Sequence, residues 1–253
     1  MNADPRYDAI GVGYAQTRRE DPVLRAALHA ALGDARTVVN VGAGTGSYEP
    51  ADRHVVAIEP SDVMAAQRPA GRVPAIRATA DALPLRDDAV DAAMAVVTVH
   101  HWGEGQRAGV GELRRVARGP VVILTFDARI SGEMWLMRDY LPETAARDLA
   151  EFPPPERLAQ WLGGAARVEV VPVARDCRDW MLASFWAHPE RVLDPRARAA
   201  TSGFARLDPA VERRAVDAVA ADLRSGAWDA RHGRLRQLDA LDVGLRLVVA
   251  TPA

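Results

Sequence analysis

Apolar residues in this chain fall into short runs that stop abruptly, separated by longer stretches in which they recur at helical spacing. The run Val38-Val39-Asn40-Val41 is β-branched and breaks into glycines at alternate positions, Gly42, Gly44 and Gly46. A buried parallel strand feeding a tight turn without Cβ atoms has this form. A second run, Val55-Val56-Ala57-Ile58, ends at Glu59, which puts a carboxylate at the tip of a second strand. Residues 75–79 read as a short third strand. Residues 91–99 are the most continuous apolar stretch and predict a buried fourth strand, followed by His100-His101-Trp102. Residues 121–126 predict a fifth strand ending at Asp127, 166–173 a sixth, and 241–251 a last one.

Between these runs the period changes to that of a helix. Asp21 and Pro22 are an N-cap and first-position pair for a helix over 22–32, and Ser61 caps another over 62–68. Residues 104–117 predict an amphipathic helix with Leu113 and Val116 on one face and Glu112, Arg114 and Arg115 exposed. Pro153-Pro154-Pro155 breaks the chain before a helix over 156–162 that Gly163-Gly164 closes. Strands alternating with helices predict a parallel, doubly wound α/β sheet. The insertion of roughly 60 residues before the last strand is too long for a structureless loop, so it reads as a helical cap over the cleft. Trp180, Phe185 and Trp186 sit in it at helix-like spacing, as packing against the body or as a wall of the substrate pocket.

Composition narrows the partners. The formal net charge is −2 and the pI near 6.3, so no nucleic-acid partner is expected. The single Cys177 excludes an internal disulfide framework and a cysteine-rich metal site, and no metal is expected. No apolar run is long enough to span a membrane, and no leader pattern opens the chain, so the expectation is a cytoplasmic enzyme without a membrane partner. Every basic residue is arginine, which rules out Schiff-base and P-loop-lysine chemistry. Nothing in the sequence sets the oligomeric state.

The glycine turn and the strand-ending Glu59 together carry the chemistry. Glycines let a ligand lie against the backbone, and an acid there is placed to accept from ribose hydroxyls. A nucleoside cofactor follows; spacing decides which. The dinucleotide fingerprint needs its last glycine one residue later than Gly46, where Ser47 stands. The G-x-G-x-G turn instead resembles motif I of the class I S-adenosylmethionine-dependent methyltransferases, in particular those that act on small molecules. The segment A-T-A-D-A-L-P-L-R-D-D-A-V-D, residues 78–91, resembles that family's D-A-x-x-L-P-F stretch. The run E-L-x-R-V-A-R-G-P resembles its joint before strand five, so the likeness covers residues 5–127 nearly continuously.

The resemblance implies a Rossmann-like sheet of seven strands, mostly parallel with an antiparallel last strand, and S-adenosyl-L-methionine as cofactor. It divides the chain into an N-terminal helical lid (1–33), a cofactor domain (34–177 and 240–253) and the inserted cap (178–239). It implies cofactor contacts from Asn40, Gly42, Ala43, Gly44 and Gly46 in the turn, and from Glu59 and Pro60 at the ribose. Met64 packs on adenine, or fills the core. Asp81 accepts from the adenine amine and the Ala82 amide reaches a ring nitrogen. Tyr14 and Arg18 reach the cofactor's methionine half, or Arg18 lies solvated on a helix. Asn40 stands where the family usually has an acid, so the charge that would favour the cofactor's ammonium is missing.

His100 and His101 lie where an acceptor would sit, either as a general base for the methyl acceptor or as a structural pair. From an extended strand only one of two neighbours can face a pocket. The activity implied is methyl transfer to a small-molecule oxygen, nitrogen or carbon. A non-catalytic cofactor-binding protein is the alternative, and a nicotinamide-dependent oxidoreductase a further one.

Overall fold

The computed structural model describes residues 18–251. Its main sheet is built from β1 (Thr37–Val41), β2 (His54–Ile58), β3 (Ala75–Ile76), β4 (Ala92–Val96), β5 (Val121–Phe126), β6 (Ala165–Val170) and β9 (Leu245–Thr251). The order is β3-β2-β1-β4-β5-β9-β6. The first five strands are parallel and β9 runs antiparallel to both neighbours, with Val121 opposite Ala250 and Val170 opposite Arg246. This is the seven-stranded Rossmann-like sheet, with an antiparallel last strand, that the resemblance implies. Strand order reverses direction between β1 and β4, and ligands in such sheets bind beyond the carboxyl ends at that point.

The helices of the first two thirds are α1 (Pro22–Ala31), α2 (Asp62–Ala66), α3 (Gln106–Val116), α4 (Ala128–Ser131), α5 (Pro142–Glu151) and α6 (Pro155–Leu162). Period-two alternation sends strand side chains to two cores. Val39 and Val41 of β1, with Val121 and Ile123 of β5, pack under α3 and α6. Val38, Met94, Val122 and Leu124 point the other way, onto α1 and the aromatic side chains of the second half. The caps read from sequence hold: Asp21 accepts from the Val23 and Leu24 amides, and Ser61 from the Met64 amide of α2. Pro155 starts α6 and Gly163 ends it.

Several elements are shorter than their apolar runs. The third strand stops at Ile76, and the fourth stops at Val96 because Val97 adopts φ 49°. A β-branched residue in that region costs about 1–3 kcal/mol, and such strain collects at functional sites. Glu112 and Arg115 are half-buried rather than free on the surface. Glu112 accepts from the Leu83 amide at 2.8 Å, and Arg115 donates to the Leu85 carbonyl at 2.8 Å. They clamp the loop after β3 onto α3.

The insertion begins and ends on a small ladder, β7 (Val173–Ala174) against β8 (Ala240–Leu241). Between them lie α7 (Pro195–Ala199), α8 (Ser202–Ala205), α9 (Pro209–Ser225) and α10 (Ala227–His232). Phe185, Trp186, Phe204 and Trp228 are fully buried in the same cluster as Val38 and Met94, so the cap shares the core of one sheet face. The Trp180–Trp186 stretch is not one helix: Met181 is extended and a 3₁₀ turn covers Leu182–Phe185. Trp180 is half-buried under the Arg191 guanidinium. Among the described residues, no helix is long and apolar enough to cross a membrane, and no cluster of three or more His, Cys, Asp or Glu side chains could hold a metal.

Candidate active site

A cleft of about 520 Å³ opens at the carboxyl ends of β1, β2 and β4, and Met181 and Ser202 of the inserted segment also line it. Its floor is the glycine turn. Gly42 adopts φ +70°, and a Cβ there would lie 2.1 Å from Thr98 Oγ1, so the turn is packed directly on the loop after β4. Gly46 adopts φ +88°, and a Cβ there would meet the Glu49 and Arg68 side chains.

Glu59 is buried and ties the second strand to the turn. Its Oε2 accepts from the Gly44 amide at 2.8 Å and its Oε1 from the Ser61 amide at 2.9 Å. Burial raises the carboxyl above its ordinary value, against the pull of the Ser61 and Gly44 amides and of Arg68. Pro60, Ser61 and Met64 continue the same wall, with Met64 buried and lining the cleft. Asp81 stands exposed at the lip, held by the loop that Glu112 and Arg115 clamp. Ala82 lies off the lining and its amide closes a turn on the Thr79 carbonyl at 3.3 Å, so the structure does not present that amide to the cleft.

Asn40 and Ala43 complete the floor. Asn40 is buried on the same side of β1 as Val38, with Nδ2 donating to Glu49 Oε1 at 3.0 Å. Its Oδ1 has no hydrogen-bond partner among the described residues. Glu49 in turn accepts from Arg68 Nη2 at 2.7 Å, both side chains being almost wholly buried.

At the other end, His100 and His101 sit on a 3₁₀ turn (Val99–His101), not on an extended strand. The turn brings both histidines and Trp102 to the lining, which the strand geometry expected from sequence forbids. His100 is buried, stacked on Phe152 at 3.8 Å and 15°, with His101 at 3.7 Å on its other contact. Burial holds the His100 imidazole well below its ordinary 6.5, and His101, Arg206 and Arg147 add to the effect. It is neutral at neutral pH. His101 is half-buried and open to the cleft.

Arg18 lines the cleft but is committed to a partner: it forms an ion pair with buried Asp179. Tyr48 donates to the same carboxylate at 2.9 Å, with φ 65° and its phenol pushed far up by burial and by Asp179. One carboxylate thus joins the entry segment, the glycine turn and the start of the inserted segment. Tyr14 lies outside the described residues. Sequence reasoning missed Thr98, Asp179, Met181 and Ser202. Asp179 lies 131 residues from Tyr48, and no local pattern marks it.

Residues 39–123 match the family model described as "Methyltransferase domain". A putative methyltransferase from an antibiotic biosynthesis pathway of Anabaena variabilis shares 28% identity and a TM-score of 0.86, over 93% of this chain and 99% of that one. Phosphoethanolamine N-methyltransferase 2 of Haemonchus contortus, solved in complex with S-adenosyl-L-methionine, shares the fold at 13% identity and a TM-score of 0.55. There the match covers 97% of this chain and 56% of that one. No curated protein sequence matches the chain.

Proposed function

We propose that the chain is a class I, S-adenosylmethionine-dependent methyltransferase whose acceptor is a small molecule held between the histidine pair and the inserted segment. The residues present fit the cofactor. Glu59 supplies a buried acceptor for ribose hydroxyls, Asp81 an acceptor for the adenine amine, and Met64 an apolar wall. Asn40 supplies an unused acceptor on the cleft floor. When bound, the cofactor supplies a methyl group already activated by its sulfonium.

The protein's own part is then positioning and exclusion of water. The observation that carries the small-molecule reading is the size and lining of the cleft: Met181 and Ser202 of the inserted segment join the glycine turn and the histidine pair in its wall, and about 520 Å³ suits a cofactor with a modest partner. The pathway named for the Anabaena relative is consistent with that class of acceptor.

His101 is proposed as the residue that takes the acceptor's proton, since it faces the cleft. His100, neutral and stacked on Phe152, holds the turn in place. His101→Phe lowers kcat by about a hundredfold, within the usual range for a removed general base. Cofactor affinity measured by calorimetry stays unchanged. An unaltered kcat would show that the acceptor loses its proton to solvent. The class of acceptor is tested by incubating the protein with methyl-labelled cofactor and separate panels of small hydroxyl and amine compounds, RNA, and protein. Label is expected in the small-molecule panels. Label in RNA or protein would overturn the reading, and cofactor binding with no transfer to any panel would favour a non-catalytic protein.

A further inference from the structure

Asn40 is the position where this turn departs from the acid usual in its family, and its surroundings suit an amide better than a carboxylate. The side chain is 1% exposed. Its Nδ2 donates to Glu49 Oε1 at 3.0 Å, and its Oδ1 has no partner among the described residues although Asn40 lines the cleft. Buried polar atoms are nearly always satisfied, so an orphaned acceptor at a ligand cleft is one left for a donor the ligand brings.

Glu49 decides which end of the amide faces that donor. A carboxylate accepts only, so it holds the Nδ2 end and turns Oδ1 the other way. Glu49 is fixed in its turn: Arg68 Nη2 reaches both of its oxygens, at 2.9 and 2.7 Å. Arg68 also donates to the Gly44 carbonyl at 3.2 Å and the Val73 carbonyl at 2.9 Å. The chain Arg68–Glu49–Asn40 therefore runs from the back of the glycine turn to the cleft floor.

We propose that Glu49 is a positioning residue for the cofactor, orienting Asn40 so that Oδ1 accepts a hydrogen bond from the α-ammonium of S-adenosylmethionine. The inference rests on the cofactor reading above. With the ribose hydroxyls assigned to Glu59 and the adenine amine to Asp81, the ammonium is the cofactor's remaining strong donor. An acid at position 40 would set a second carboxylate against Glu49 with one guanidinium between them, and two carboxylates sharing a site do not both ionise readily. Asparagine avoids that conflict. Glu49's charge is balanced by Arg68, and Asn40 contributes an oriented carbonyl dipole.

The test is calorimetric titration of wild type, Asn40→Asp, Glu49→Gln and the double variant with two ligands. S-adenosylhomocysteine carries the amino-acid part; methylthioadenosine has the same nucleoside and a thioether sulfur without it. Each single variant should weaken S-adenosylhomocysteine about tenfold or more, the loss of one hydrogen bond to a charged group, and change methylthioadenosine by less than about twofold. The double variant keeps the net charge of the trio and lets the new amide at position 49 donate to the new carboxylate at position 40, so it should regain most of the lost affinity. If Glu49→Gln does not fold, Asn40→Ala, which leaves the Glu49–Arg68 pair intact, gives the same ligand contrast. Single variants that bind S-adenosylhomocysteine as wild type does, or that lose both ligands equally, would overturn the proposal, as would a double variant no better than either single. A wild-type protein that binds neither ligand would overturn the cofactor reading itself.

Discussion

Glu59→Ala raises the dissociation constant for S-adenosylmethionine by a hundredfold or more. The carboxylate is proposed to accept two ribose hydroxyls, and hydrogen bonds to a charged group contribute about 1.5–3 kcal/mol each. The same substitution frees the Gly44 and Ser61 amides that Glu59 now holds at 2.8 and 2.9 Å, so the turn loses its anchor as well. The expected effect is therefore at least about 3 kcal/mol, read by calorimetry. Burial is the first cause of the raised pKa of Glu59, and that gives the pH dependence its sign. The ionised form accepts the hydroxyls, so affinity is full above the raised value and falls as pH drops through it. For the unliganded protein the sign is opposite: the raised carboxyl's contribution to stability is largest at low pH and declines as pH rises through the same window. Glu59→Gln flattens this part of the binding profile. An affinity that stays constant while wild type is titrated through that window would refute the ribose assignment.

Gly42→Ala is expected to destabilise the fold by about 3 kcal/mol, the combined cost of overpacking and of a non-glycine residue in the left-handed region. The new Cβ would lie 2.1 Å from Thr98 Oγ1 and 2.8 Å from both Thr98 Cβ and Cγ2. For a chain of this size that loss lowers Tm by roughly 6–12 °C. Thr98→Ala in the same chain removes Oγ1 and Cγ2 and should return part of the loss. Equal melting temperatures for the single and double variants would show that the turn yields elsewhere. Cofactor affinity should fall in both, because the turn that floors the cleft has moved.

What the sequence made legible was local. The glycine spacing, the acid ending the second apolar run and the caps at Asp21 and Ser61 each depend on a few neighbouring residues, and the structure has them as read. The parallel sheet follows from strands alternating with helices, and the antiparallel last strand from the family likeness. Strand ends were less legible. The run through Val99 looks uniformly apolar, yet Val97 turns into the left-handed region and puts His100 and His101 on a 3₁₀ turn. Hydropathy carries no mark of that turn, and it is what brings both histidines to the cleft. Glu112 and Arg115 read as a solvated face because their partners, the Leu83 amide and the Leu85 carbonyl, are backbone atoms of a distant loop. Contacts that cross the chain were invisible. Asp179 joins Arg18 and Tyr48 only because the inserted segment starts over the glycine turn. The aromatic spacing at Trp180, Phe185 and Trp186 suggested a helix face, but Phe185 and Trp186 are held by burial in the core, Trp180 lies half-buried under Arg191, and no helix is needed.

The most direct measurement is calorimetric titration of the folded wild-type protein with S-adenosylmethionine, S-adenosylhomocysteine and NAD. Saturable one-to-one binding of the first two is expected, none of the third, and competition between the first two for one site. A folded protein that binds neither S-adenosylmethionine nor S-adenosylhomocysteine, or that binds NAD in their place, would contradict the cofactor reading.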